Sequence, residues 1–449
     1  MHKKYLIAIF VWLPTLSFAQ NIIHRDPVIE QMVNQVRADS LKSYIATLVS
    51  FGTRHTMSKT NDPKTGIGAA RNWVVNKFKS FAQHTNGRMT CYVDTITLQP
   101  DGKRISEATN LGNAMAILKG TDPNDDRIFL ISGHLDSRVT DVMNKTSDAP
   151  GANDDGSGAA AVIECARIMS QQAFGATVIF VTVSGEEQGL LGANFLANQM
   201  ADKKWNLEAM LNNDIMGSNN SNQTNITNNT QVRVFSEGLP GFETEKVANT
   251  IRNYGLENDG KARQLARYVK EVGERYVDNL QVMMIYRNDR FLRGGDHSPF
   301  VSKGFAAVRI TEMNENFEHQ HQDLRTENGK KIGDLIEFMD FELLRKNTAL
   351  NLSCLANLAK APSMPEDVKI ETKNLTNTTT LTWKAPKAGK VKGYYILMRE
   401  TTSSVWQKKI FTEKTEAQLP YSKDNYFFAV QSLNEDGNES LPVVPIPAK

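Results

Sequence analysis

Residues 127–137 read RIFLISGHLDS, and the fold follows from how that stretch is parsed. Arg127–Ser132 is a short continuous run of aliphatic and aromatic residues stopped by Gly133. That is the pattern of a strand buried on both faces rather than of a helix. Its end delivers His134 and Asp136. The grammar recurs at Thr177–Val183 (TVIFVTV), which runs into SGEEQGL with Glu186 and Glu187. Glu208–Asn212 and Phe305–Ile310 read as two more strands. The first leads to Asp214 in NNDIMG, and the second comes shortly before EHQHQD, with His319, His321 and Asp323. Ser157–Gln172 and Leu190–Met200 read as helices between them. Strands alternating with helices predict a layered α/β domain, in which ligands collect beyond the carboxyl ends of the strands.

On the amino-terminal side, Pro27–Ala82 is helical and amphipathic, broken by a polar stretch at 58–68. Residues 20–37 are expected to form a removable segment or an N-terminal helix packed on the domain. The first residues, MHKKYLIAIFVWLPTLSFAQ, place His2, Lys3 and Lys4 before an apolar run that ends in Ser17-Phe18-Ala19. The run is shorter than the roughly 20 residues of a membrane span and contains Pro14. Residues 1–19 are therefore expected to be a signal peptide, with the mature chain exported to a periplasm or the extracellular space. Cys91, Cys165 and Cys354 are too few and too scattered for a disulfide scaffold. They read as buried thiols, with one long-range bridge as the alternative.

Composition shifts at Ala361-Pro362. Residues 366–447 alternate apolar and polar over short runs, among them Leu381-Thr382-Trp383, Tyr394-Tyr395-Ile396-Leu397 and Phe427-Phe428-Ala429-Val430. This predicts a small all-β sandwich, and it resembles a fibronectin type III module. The expected organisation is a leader at 1–19, a catalytic domain at 20–361 and a β-sandwich at 362–449. Lys+Arg number 52 against Asp+Glu 50 in 449 residues, and removal of Lys3 and Lys4 would leave equal numbers of each. Such a balance gives no support to a nucleic-acid partner.

The strand-end residues are the chemistry. Histidine and carboxylate donors suit zinc, and two ions sharing a carboxylate need about this many ligands. The blocks GHLDS, GANDDGSG, SGEEQGL, NNDIMG and HQHQD, in this order, resemble the co-catalytic di-zinc aminopeptidases, metallopeptidase family twenty-eight. The resemblance covers about residues 38–355 and implies a mixed central sheet sandwiched by helices. It further implies that His134 and Asp214 bind one zinc ion and Glu187 and His319 the other, with Asp154 bridging. The family's spacing, a ligand four residues before an acid, selects His319 over His321. Glu186 would be the catalytic base, and Asp136 would orient the imidazole of His134. The Asp154–Asp155 peptide would be cis. Asp296 and His297 in GGDHSPF match a stretch that lines the pocket of relatives and are substrate-side candidates, a helix start being the other reading.

The activity this implies is removal of N-terminal residues from peptides with a free α-amine. No G-x-S-x-G elbow and no recognisable catalytic cysteine motif competes. Three other readings stand beside it. One is a one-zinc glutaminyl cyclase or a carboxypeptidase-type enzyme of the same fold. The second is an exported binding protein whose β-sandwich does the work. The third is a purely structural metal role, which would ordinarily be Cys-rich.

Overall fold

The computed structural model describes residues 25–448; the expected leader lies outside them. The chain begins with helices α1 (Pro27–Val33), α2 (Ala38–Val49) and α3 (Gly66–Ala82). Strands β1 (Met89–Leu98), β2 (Thr109–Leu118) and β3 (Arg127–His134) follow. Next come α4 (Gly156–Met169), β4 (Thr177–Val183), α5 (Leu191–Asp202), β5 (Asn206–Asn213) and β6 (Gln231–Phe235). Then come α6 (Glu245–Tyr254), α7 (Lys261–Tyr276), β7 (Gln281–Ile285), α8 (His297–Ser302) and β8 (Ala307–Glu312). A small hairpin, β9 (Arg325–Glu327) with β10 (Lys330–Ile332), precedes the long helix α9 (Phe341–Lys360).

Strands β1 to β8 form one sheet in the order β1-β2-β4-β3-β5-β8-β6-β7. Its centre, β4-β3-β5-β8, is parallel, whereas β1, β2 and β4 pair antiparallel and β6 runs antiparallel to β8. The sheet is mixed, with helices on both faces. Because successive strand side chains point to opposite faces, β3 serves two cores at once. Phe129 and Ile131 join Val162 and Cys165 of α4 and Leu352 and Leu355 of α9. Leu130 joins Ile179, Leu196 and Met200 from β4 and α5, and Phe300 of α8. A strand buried on both faces has no polar alternation to display, which is why Ile128–Ile131 are consecutive apolar residues.

Beyond α9 come β11 (Glu366–Ile370), β12 (Thr379–Lys384), β13 (Gly393–Glu400), β14 (Lys408–Thr412), β15 (Glu416–Leu419), β16 (Tyr426–Leu433) and β17 (Ile446–Pro447). They make two sheets, β15-β12-β11-β17 and β14-β13-β16, packed over Val368, Leu381, Trp383, Tyr394, Ile396 and Phe428. This sandwich is bolted to the α/β part through buried charge. Glu439 receives hydrogen bonds from Arg275 of α7 and Asn357 of α9. Asp259 pairs with Arg399 of the sandwich at 2.6 Å and with Arg267 at 3.1 Å. Asp26 accepts from Lys360 at 2.5 Å and Asn438 at 3.1 Å.

Among residues 20–37, Pro27–Val33 forms a packed helix with Ile29 and Met32 buried. The three cysteines are free, Cys165 and Cys354 buried and Cys91 half-buried. No helix among the described residues is long and apolar enough to cross a membrane.

Candidate metal centre

Four strand ends meet at one point. β3 ends on His134, the β4–α5 turn carries Glu186 and Glu187, Asp214 follows β5, and the segment after β8 brings His321. Asp154 arrives from the loop before α4, and the Asp154–Asp155 peptide is cis. Asp155 ties this geometry down. Its carboxylate accepts from His134 N and from Gly158 N, each at 2.8 Å, which caps α4 and joins it to β3. The helix must come very close to the sheet for this. A Cβ on Gly158 would lie 2.4 Å from the Asn213 carbonyl oxygen, and one on Gly133 2.5 Å from the Gly158 carbonyl carbon. The two glycines are steric requirements of the site. Asp334 holds the other side of the Asp154 loop, accepting from Asn153 N and Asp154 N at 2.8 Å each.

The donor atoms fall into three triads: one joins His134, Glu186 and Glu187, and the other two share Asp154. Its Oδ1 is 3.0 Å from His134 Nε2, which lies 3.9 Å from Asp214 Oδ1. Its Oδ2 is 2.8 Å from His321 Nε2, which lies 2.9 Å from Glu187 Oε1. Within each triad the donor atoms lie inside 4.8 Å of one another. One carboxylate offering an oxygen to each of two N/O sets, with little cysteine chemistry nearby, is what a pair of divalent ions needs. The residues present fit two such ions. Burial would raise the Asp154 carboxyl, yet His321 and His134 hold it well below the ordinary range. Burial would lower the His321 imidazole, yet Glu187 and Asp154 push it up to about 10. Three carboxylates facing two imidazoles make a pit that attracts positive charge.

Glu186 stands outside the two triads that share Asp154, its carboxylate within 4.8 Å of ligand atoms of His134 and Glu187. Burial, then the neighbouring Glu187, Asp214 and Asp296, push it well above the usual carboxylate range against the pull of His134. It lines a cleft of 260 Å³ together with Glu187, His321, Leu190 and four arginines.

Three sequence expectations change here. His321, not His319, faces Asp154 and Glu187. His321 adopts left-handed backbone (φ 51°), whereas His319 ends a single helical turn and stacks flat on Phe338, ring centroids 3.7 Å apart. Asp136 acts differently from expected. The His134 ring contacts the Asp136 backbone oxygen at 3.0 Å. The Asp136 carboxylate instead accepts from Glu186 N at 3.2 Å and Glu187 N at 3.1 Å, and so shapes the turn that carries both glutamates. Asp296 and His297 are fully buried and are not among the residues that line the cleft. His297 Nε2 bonds the Asn288 carbonyl oxygen at 2.8 Å, and burial lowers its pKa to about 4. Asp296 has no hydrogen-bond partner on either carboxylate oxygen among the described residues.

Sequence reading missed the arginines that hold the ligands. Arg138 Nε donates to Glu187 Oε2 at 2.9 Å; its Nη2 lies 2.7 Å from His321 Nδ1, a contact that His321 would give up on binding a metal through Nε2, since Nδ1 then carries the proton. Arg309, fully buried on β8, pairs with Asp214 at 3.0 Å and with Asp289 at 2.9 Å. Such contacts fix ligand orientation. One arginine lies in the loop after β3 and the other inside β8, so no spacing announced them.

The peptidase family M28 model matches residues 113–337, the stretch that contains every one of the ligand-bearing loops. The chain belongs to peptidase family M28. A protein of Leptosphaeria maculans described as "Probable zinc metalloprotease" is 44% identical over 93% of this chain and 97% of its own. One from Pyricularia oryzae with the same description is 40% identical over 97% and 88%. Among solved structures, the LapA aminopeptidase of Legionella pneumophila superposes with a TM-score of 0.53 over 80% of each chain at 17% identity. At that identity the likeness is one of fold, and it includes the mixed sheet flanked by helices seen in this M28 member.

Proposed function

We propose that this M28 peptidase is an exported zinc aminopeptidase that removes N-terminal residues from peptides. The observation that carries this reading is the sharing of Asp154 between two donor triads with the Glu186 carboxylate beside them. His134 and Asp214 would hold one ion, His321 and Glu187 the second, and Asp154 both. Zinc held there supplies Lewis acidity, acidifying water and polarising a carbonyl.

The protein's own groups do the rest. Glu186 accepts a proton from the attacking water at its carboxylate and returns one to the leaving amine nitrogen. Asp136 holds the backbone of Glu186 and Glu187, so base and ligand keep a fixed relation. Arg138 and Arg309 fix Glu187 and Asp214. Cleavage at the amino end is the reading supported by the fold shared with the LapA aminopeptidase. The description of the fungal relatives as zinc metalloproteases supports the choice of metal. The strand order β15-β12-β11 over β14-β13-β16 supports reading residues 362–449 as a fibronectin type III-like module.

The test is Glu186→Gln in the zinc-loaded protein, assayed with N-terminal amino-acid anilides and with peptides whose products are sequenced. We expect kcat to fall about 10²- to 10⁴-fold with zinc content unchanged, and wild-type products shortened from the amino end. Near-full activity of the variant, or cleavage away from the N-terminus, would refute the assignment.

A further inference from the structure

The cleft beside Glu186 is unusually basic for one built around an acidic centre. Arg104, Arg138, Arg290 and Arg293 share its 260 Å³ with Glu186, Glu187 and His321. Two of the four are occupied. Arg138 is engaged by Glu187 and His321, and Arg290 by Glu315 at 2.8 Å and Asp289 at 3.2 Å. The other two are not. Arg104 donates to the Glu187 carbonyl oxygen at 2.7 Å and has no ion pair among the described residues. Arg293 reaches a carboxylate only at 3.9 Å. That carboxylate, Glu315, is already held by Arg290 and by Arg233. Arg293 also stands over the Phe317 ring, 5.9 Å from its centroid, with its side chain partly exposed.

The wall of the cleft therefore presents two guanidinium groups with free N–H donors. The acids that share the cleft cannot satisfy them, since Glu187 belongs to a triad and Glu186 is the proposed base. A planar guanidinium fork matches a carboxylate bidentately, and a carboxylate is the anionic group that peptides carry. The cleft is also smaller than the roughly 300–1,000 Å³ of pockets that take drug-sized ligands. A carboxylate held by these arginines must therefore sit within about a residue of the bond that Glu186 serves.

We propose that this site selects peptides carrying a carboxylate next to the scissile bond, gripped by Arg104 and Arg293. The proposal rests on the peptidase reading above and names its substrate class. The carboxylate has two sources of the same chemistry: an Asp or Glu side chain at the scissile bond, or the free C-terminus of a dipeptide.

The zinc-loaded full-length protein would be assayed with Ala-Ala-amide, Ala-Ala, Glu-Ala-amide and Ala-Glu-amide, and kcat/KM compared. We expect at least one carboxylate-bearing peptide to exceed the neutral amide by about ten- to a hundredfold, the scale of one charge-assisted pair. Preference for Ala-Ala would assign the C-terminus as the source, and preference for either glutamyl peptide the side chain. In Arg293→Gln and Arg104→Gln the selectivity ratio should drop about tenfold, with partial rescue in Arg293→Lys. Both positions are exposed, so the variants test recognition rather than folding. Equal turnover of all four peptides, or an unchanged ratio in both Gln variants, would overturn this proposal and leave the peptidase reading intact. Turnover of none would overturn both.

Discussion

Glu439 offers a test of how the β-sandwich is held to the catalytic domain. Its side chain is buried at the junction, where Arg275 Nη1 donates to Oε2 at 3.1 Å, Asn357 Nδ2 at 3.3 Å and Lys409 Nζ to Oε1 at 3.4 Å. Burial alone would raise this carboxyl. Arg275 and Lys409 outweigh it and bring the pKa from 4.5 down to about 2. A drop of that size corresponds to roughly 3 kcal/mol of stability. Breaking a buried pair by deleting one partner costs a similar ~3–5 kcal/mol, because the other charge stays behind unpaired. Glu439→Ala should therefore destabilise the protein by about 3 kcal/mol in denaturant unfolding, with a matching loss in Arg275→Met. The double variant should lose less than the sum of the two. Since the folded pKa is the depressed one, the contribution is complete above about pH 4.5 and disappears as pH falls toward 2. The wild type should lose stability across that window faster than Glu439→Gln does. A loss under about 1 kcal/mol in Glu439→Ala, or parallel pH profiles for the wild type and Glu439→Gln, would refute the reasoning.

Further predictions concern the site itself. His321→Ala should lose tightly bound zinc while His319→Ala keeps it, as elemental mass spectrometry after desalting would report; the reverse result would restore the assignment made from spacing. Arg138→Gln should weaken zinc binding about 10- to 100-fold in competition with a chelator, through lost support of Glu187, and unchanged affinity would remove Arg138 from the site. Gly158→Ala should cost about 1–3 kcal/mol in thermal or denaturant unfolding, because its Cβ would overlap the Asn213 carbonyl oxygen. A stabilised Gly158→Ala protein would mean that α4 can retreat from the sheet.

The sequence displayed the parallel centre of the sheet and hid its flanks. β3 and β4 are legible because burial on both faces leaves no polar residue to confuse the pattern. β1 is an edge strand with mixed exposure. Half of β2, TNLGNAMAIL, is Ala, Gly and Asn, residues with weak strand preference that are held extended by pairing with β1 and β4. Its register comes from tertiary pairing, which no local window contains. The donors showed themselves because strand ends gather ligands. The choice between His319 and His321 did not, since it turns on the left-handed backbone at His321. The two roles of Asp136 could not be separated from sequence either. A backbone oxygen can hold His134 whatever the side chain, which leaves the carboxylate free for the Glu186–Glu187 turn.

The central claim is a pair of metal ions bridged by Asp154 in this M28 peptidase. It is tested most directly by counting tightly bound zinc per chain after zinc equilibration and desalting, in the wild type and in Asp154→Asn. The account predicts two ions in the wild type and a loss of at least one in the variant. One ion or none in the wild type, or two retained in Asp154→Asn, would contradict it.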